Sequence, residues 1–121
     1  MSGIRHILGV SRAAIGVGAW LAPDRTVTLF GMDPEHSNRF VGRLFSAREL
    51  ALALALLTAP PSAVASVAAV GVAVDSVDAV AGFDERRRGN LSDPATLLGP
   101  VGALIFVAMG VIVARDAGLR R

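Results

Sequence analysis

Six charged side chains lie inside stretches of the chain whose other residues are mostly apolar. Three are basic and three are acidic: Arg12, Arg43, Arg48, Glu49, Asp75 and Asp78. Charged groups within a membrane span are tolerated where they face protein or water and pair up, and they often mark ion or proton pathways. Such groups can form ion pairs, exchange protons or polarise a substrate oxygen. We therefore expect these six residues to form an intramembrane polar network, or a ligand or proton site.

The composition indicates a single domain, residues 1–121, that is embedded in the lipid bilayer. Hydrophobic residues make up 53% of the 121, and the mean hydropathy is +0.57. Aromatic residues are only 5%, and the apolar mass is mostly Ala, Val, Leu and Gly, which is typical of closely packed membrane helices. The net charge is +2, and the arginines are scattered or placed near acids. Nucleic-acid binding requires a basic face, so no nucleic-acid partner is expected.

The residues that usually bind metals or form disulfides are scarce. Cysteine is absent, which excludes disulfides and thiolate metal sites. The only histidines, His6 and His36, fall at the flanks of the apolar segments, and neither has further ligands at a plausible spacing. We expect no metal and no cofactor.

Four apolar segments approach the roughly 20 residues that a helix needs to cross about 30 Å of hydrocarbon. The first segment ends at Pro23 and the second at Pro60-Pro61. Ser62 is a plausible N-cap for the third segment, and the fourth starts at Ser92-Asp93-Pro94. Their approximate bounds are 4–22, 40–59, 62–82 and 94–114.

Short connections favour antiparallel neighbours, so the segments predict an all-α fold, a four-transmembrane-helix up-and-down bundle. The first segment is not a typical signal peptide, because Arg12 interrupts its apolar core. We expect a multi-pass protein of the cell's inner membrane. The arginine count favours the termini facing outward. The side that holds the termini carries Arg5, Arg115, Arg120 and Arg121. The other side carries Arg25, Arg39, Arg86, Arg87 and Arg88.

In this topology, distance from each helix midpoint gives depth in the membrane and so predicts which charges meet. The predicted pairs are Arg43 with Asp78, Arg48 with Asp75, and Arg12 with Glu49, with Arg12 and Arg48 free to exchange partners.

Small residues recur on the faces predicted to point inward, where glycine lets helix backbones approach closely. The predicted helix-packing glycines are Gly9, Gly16, Gly71, Gly82, Gly102 and Gly110. Trp20, near the end of the first helix, is expected to anchor it at the membrane interface. The 23–39 connection is expected to be a solvated loop or to lie partly along that interface.

Several short motifs carry a family resemblance. In chain order they are a mid-span Arg12, the Leu29-Phe30-Gly31 step, Gly42-Arg43, Ala47-Arg48-Glu49-Leu50 and Asp75-x-x-Asp78. In this pattern the chain resembles small four-helix bacterial membrane proteins of the actinobacterial type and, in size and architecture, the DoxX-type proteins. The resemblance implies four spans around a polar inner face. That family brings no settled activity, so no catalytic residue is implied.

Three functional classes remain open. The first is a non-catalytic membrane protein in which the charges fix the register of the helices, either a free-standing bundle or an accessory subunit of a homo-oligomer or larger membrane complex. The second is a small transporter or proton relay that uses Asp75, Asp78 and Glu49. The third is a membrane-embedded enzyme acting on a lipophilic substrate, with a carboxylate as acid or base. Each charge costs about 2.5 to 3.5 kcal/mol at a helix centre, so every class must explain how it is compensated.

Overall fold

A computed structural model describes the backbone of residues 2–119 and the side chains of residues 3–118. Arg120 and Arg121, two of the arginines counted for orientation, lie outside the described residues. The described part of the chain is mostly helical and contains no strand, which confirms the all-α prediction. Helices α1 (Ser2–Leu21), α2 (Pro23–Leu29), α3 (Arg39–Thr58), α4 (Val64–Arg87), α5 (Asp93–Thr96) and α6 (Gly102–Leu119) follow in chain order.

Capping residues account for where several of these elements begin. The Asn38 side chain accepts a hydrogen bond from the Val41 amide at the start of α3, and Ser92 accepts one from Ala95 at the start of α5. The predicted cap at Ser62 is wrong, because Ser62 lies in a 3₁₀ turn (Pro61–Ala63) and α4 starts after Ala63 without a side-chain cap. At its other end α4 continues past Gly82 through the charged residues to Arg87.

Prolines shape the end of α3. In a regular helix the Leu56 carbonyl would accept from the amide of residue 60, but Pro60 has no N–H group. Arg5 of α1 supplies the missing donors: its Nε lies 2.8 Å from the Leu56 oxygen and its Nη2 lies 2.8 Å from the Ala59 oxygen. The start of α1 is thereby attached to the end of α3.

A proline also interrupts the last apolar segment. Pro100 cannot donate to the Thr96 carbonyl, and a π turn (Leu97–Val101) joins α5 to α6 at this point. The Pro100 ring is buried against Gly82 of α4, where an added Cβ would lie 2.7 Å from the ring's Cβ. Gly82 therefore provides the space that the turn occupies.

The four long helical segments pack as two antiparallel pairs, α1 with α3 and α4 with the segment that contains α6. In the first pair, Cβ atoms added at Gly9 and Gly16 would collide with Leu57 and Leu50. In the second, a Cβ added at Gly110 would collide with Val72.

Two of the predicted packing glycines have other neighbours. A Cβ added at Gly71 would meet the Arg12 guanidinium at 3.1 Å. At Gly102 it would meet only the Leu97 carbonyl oxygen, at 3.9 Å, so no close helix approach occurs there.

An apolar core cluster brings the two pairs together near the chain termini. Its buried residues come from all four long helices: Leu8, Leu56, Val64, Ala68 and Val113. The outer faces are also apolar, and Leu21, Leu29, Phe40 and Val80 are each at least 70% exposed. Two segments of the described chain, Pro61–Arg87 and Asp93–Gly118, are long and apolar enough to cross a membrane.

Candidate functional site

Arg12 lies at the centre of the molecule and contacts each of the other three long helices. Its side chain is 2% exposed. Nη1 donates to Glu49 Oε2 of α3 at 2.9 Å and to Asp75 Oδ1 of α4 at 3.2 Å, and Nη2 donates to Asp75 Oδ2. The guanidinium carbon lies 5.0 Å from the centre of the Phe106 ring of α6, within the range of a cation–π contact. One cation therefore joins all four long helices.

A second ion pair lies beside this one but nearer the surface. Arg48 Nη2 donates to Asp78 Oδ2 at 2.7 Å, with side-chain exposures of 39% and 31%. The same nitrogen lies 3.8 Å from Glu49 Oε1, which connects the two pairs. Arg48 also lies over the Phe45 ring at 5.0 Å, and its buried Nε has no hydrogen-bond partner. We call Arg12, Arg48, Glu49, Asp75 and Asp78 the ion network.

The predicted pairing of Arg12 with Glu49 is confirmed, whereas the predicted pairing of Arg48 with Asp75 is wrong. The predicted exchange of partners is also found, because Arg12 contacts Asp75 and Arg48 lies 3.8 Å from Glu49. Arg12 binds Asp75 as well as Glu49, because Gly71, one turn before Asp75, leaves room for its guanidinium on α4. Asp78 then becomes the partner of Arg48.

Arg43 does not belong to the ion network. The predicted pair of Arg43 with Asp78 is wrong, because Arg48 occupies Asp78 and Arg43 lies 4.9 Å over the ring of Trp20 on α1. Arg43 and Arg48 are five positions apart, so they point to different sides of α3. Trp20 is 44% exposed at this contact, and its role as an interfacial anchor stays a prediction.

A buried hydroxyl that sequence reasoning missed also supports the network. Ser46 is fully buried, and its Oγ donates to the Gly16 carbonyl of α1. Because Ser46 precedes Glu49 by three residues, both lie on the inward face of α3. This spacing is the sequence feature that would have identified Ser46.

The three carboxylates are close enough to be considered as metal ligands. One oxygen each from Glu49, Asp75 and Asp78 lie within 4.8 Å of one another. Hard cations such as Mg²⁺ and Ca²⁺ prefer oxygen ligands. In this site, however, each carboxylate is already an acceptor for Arg12 or Arg48, and the two guanidinium groups supply the positive charge that a metal would bring.

The described site has little space for a ligand. The cavity beside Arg12 is lined by apolar side chains, including Leu8, Leu52 and Leu56, and has room for about one water molecule. The arrangement can therefore hold helices together or pass protons between neighbouring carboxylates, but a lipophilic substrate does not fit beside Arg12.

Searches against protein-family models, curated proteins and solved structures found no match for this chain. The resemblance to DoxX-type proteins accordingly stays a prediction.

Proposed function

We propose that the chain is a multi-pass integral membrane protein, a four-transmembrane-helix up-and-down bundle of the inner membrane. Its ion network would have a structural, non-catalytic role. The observation that carries this proposal is the position of Arg12, whose enclosed guanidinium contacts Glu49, Asp75 and Phe106 on three different helices. Such a contact fixes the relative rotation and depth of all four helices.

The distribution of apolar surface supports a lipid environment. A soluble protein whose core helix is this hydrophobic would bury most of it, yet only 28% of the most apolar window of Pro61–Arg87 and 17% of that of Asp93–Gly118 are buried. Large exposed apolar residues occur on α1 and α3 as well, for example Val10 at 58% and Leu54 at 63%. Contiguous apolar surface of this extent on all sides is typical of lipid contact.

The lengths and charges of α1 and α3 are compatible with spanning as well. Each has 20 residues, which corresponds to about 30 Å of helix. The charges near the middle of these helices are the paired members of the ion network, which removes most of the cost of placing them in hydrocarbon.

Membrane insertion and the number of spans can be tested together, because the natural chain contains no cysteine. Single variants His36→Cys, Ser62→Cys and Asn90→Cys place one thiol in each connection between the long helices. In sealed vesicles of one orientation, an impermeant thiol reagent should label the variants at 36 and 90 from the same side and the variant at 62 from the opposite side. Labelling of 36 and 62 from the same side would show that α3 does not cross. Release of the chain by alkaline carbonate would contradict membrane insertion altogether.

A proton relay is the second candidate, and one observation favours it. The ion network contains three carboxylates and two guanidinium groups, and the carboxylates extend from the enclosed Glu49 and Asp75 to Asp78, which is 31% exposed. In this function Asp75→Asn would abolish proton-coupled flux in liposomes while the variant remains folded. Absence of flux with the natural chain, or unchanged flux in the variant, would contradict it.

A further inference from the structure

The two contacts between the helix pairs differ in composition. Where α1 meets α6, apolar side chains fill the space, including Leu8, Val113 and Met109. Where α3 meets α4, Leu56 of α3 shares the apolar core with Val64 and Ala68 of α4, and the partly exposed Arg48 and Asp78 add an ion pair. We call the exposed surface along this second contact the α3/α4 seam. By helical spacing we assign to it the exposed residues on the sides of α3 and α4 that carry Arg48 and Asp78: Val41, Leu44, Ala51 and Ala55 of α3 with Val70, Val77 and Ala81 of α4.

The seam leaves a charged pair incompletely covered. The side chains of Arg48 and Asp78 are 39% and 31% exposed, and Arg48 lies 3.8 Å from Glu49, the enclosed partner of Arg12. In a bilayer that exposure faces hydrocarbon, where charged groups are expensive unless protein or water covers them. Acyl chains offer neither donor nor acceptor, and lipid headgroups lie at the surface. Arg48 and Asp78 neutralise each other, and a protein surface packed on the seam would shield the exposed parts of both side chains from hydrocarbon.

The α3 side of the seam has the pattern of a helix-pairing surface. Its residues are separated by three, four, three and four positions, the spacing of the contact positions in a coiled coil. Leu44 is 54% exposed, and Ala51 and Ala55 are exposed small residues that allow close approach of another helix. Val77, at 67% exposed, provides the matching apolar surface on α4.

We propose that the α3/α4 seam is the interface with a second copy of this chain. A two-fold axis beside the Arg48–Asp78 pair brings each arginine close to the aspartate of the other copy. A surface that carries one positive and one negative group side by side is complementary to itself under such a rotation. The inference rests on the proposed membrane insertion, because the cost of exposing the pair arises in hydrocarbon.

Cross-linking of single cysteines in native membranes tests the interface directly. Leu44→Cys, Ala51→Cys and Val77→Cys place thiols on the seam, while Ala14→Cys of α1 and Ala108→Cys of α6 are controls at exposed positions away from it. With a short thiol cross-linker, we expect covalent dimers from the seam variants and only background dimer from the controls. Equal cross-linking at all positions, or background levels at the three seam positions, would overturn the proposal.

Charge complementation tests the role of the ion pair. The variants R48D and D78R each place two like charges on the seam, so neither should pair with itself. Co-expressed with different tags, the two variants should form mixed dimers in about tenfold excess over self-pairs. The double variant R48D/D78R, which restores opposite charges, controls for folding and should dimerise like the natural chain. A random distribution of tags would overturn the proposal. So would a natural chain that native mass spectrometry shows to be monomeric, with or without a bound lipid.

The two proposals fail in distinguishable ways. A chain that stays in the membrane after carbonate washing but does not form dimers contradicts the interface and leaves membrane insertion intact. A chain released by the same treatment contradicts insertion, and the inferred interface is overturned with it.

Discussion

The two helix pairs differ in how charge is distributed along them. Within the apolar segments, the α1/α3 pair carries four arginines and a single glutamate, whereas the α4/α6 pair carries aspartates only. Both segments that qualify by hydropathy as membrane spans belong to the α4/α6 pair. The contacts of Arg12 with Asp75 and of Arg48 with Asp78 therefore join a positively charged pair to a negatively charged one. This difference teaches that the ion network acts mainly between the pairs, while glycines mediate packing within each pair.

Removal of Arg12 should have the largest effect, because it breaks the central contact between the pairs. Arg12→Met leaves Glu49 and Asp75 enclosed without their cation, and breaking a buried pair in this way costs about 3 to 5 kcal/mol. We expect a corresponding loss in the free energy of unfolding, measured by denaturant titration in mild detergent. Arg39→Leu is the control, since it breaks an exposed pair with Asp24 and should change stability by about 1 kcal/mol or less. A loss below about 1 kcal/mol for Arg12→Met would contradict the central role of this residue.

A double-mutant cycle would sharpen the distinction between contacts within and between the pairs. Arg12→Met combined with Asp75→Asn should destabilise less than the sum of the single changes, with a coupling of about 1 to 3 kcal/mol. The same cycle with Glu49→Gln measures the contact within the α1/α3 pair. Arg12 makes one hydrogen bond to Glu49 and two to Asp75. We expect the smaller coupling for Glu49, and the reverse order would show that the network serves mainly the α1/α3 pair.

Alanine substitutions at the packing glycines should destabilise the two helix pairs by different amounts, because the glycines contact side chains of different rigidity. At Gly82 the added Cβ meets the Pro100 ring, which cannot change rotamer, so Gly82→Ala should cost about 1 to 3 kcal/mol. At Gly9 it meets the Leu57 side chain, which can rotate away, so Gly9→Ala should cost less.

Gly42→Ala is the matched control, because nothing lies within 4 Å of the added Cβ and alanine favours the helix. Thermal unfolding in detergent would measure all three variants. Equal losses at Gly9 and Gly82 would contradict the proposed difference between the pairs.

The smallest effect is expected outside both pairs, in the 23–39 connection. The backbone amide of Glu35 and then the His36 side chain lower the pKa of Asp33, which caps the 3₁₀ turn Pro34–His36. Because the pKa of Asp33 is lowered in the folded state, its ionised carboxylate stabilises the turn at pH values above the pKa that Asp33 has in the unfolded chain. This contribution is lost as the pH falls through the pKa of the folded state.

Carboxyl chemical shifts followed by NMR should show Asp33 titrating below the ordinary range of aspartate. Asp33→Asn should remove the accompanying change in the amide shift of Glu35, while the ion network is unaffected. A normal Asp33 pKa would contradict the cap.

The helical class could be predicted because hydropathy and proline positions locate helices. Depth places Arg12 near both Glu49 and Asp75, and both contacts were predicted, the second as the alternative to Arg48 with Asp75. Depth does not determine the rotation of each helix about its axis, and this is why the partners of Arg48 and Arg43 were assigned incorrectly. The π turn at Pro100 and the Arg5 contact with α3 were not predicted, although each follows from a proline that lacks an N–H donor. Within the described residues, only the segments Pro61–Arg87 and Asp93–Gly118 are long and apolar enough to cross a membrane, so spanning by α1 and α3 stays a proposal.

The central position of Arg12 also has a consequence for biosynthesis. Arg12 and Asp75 are 63 residues apart. At about 5 to 20 residues per second, the ribosome needs several seconds to make the second after the first. During that interval the arginine of a newly made α1 has no aspartate to bind. Under the proposed membrane insertion, α1 would become stable in lipid only after α4 is complete, so the order of synthesis and the order of stable insertion would differ.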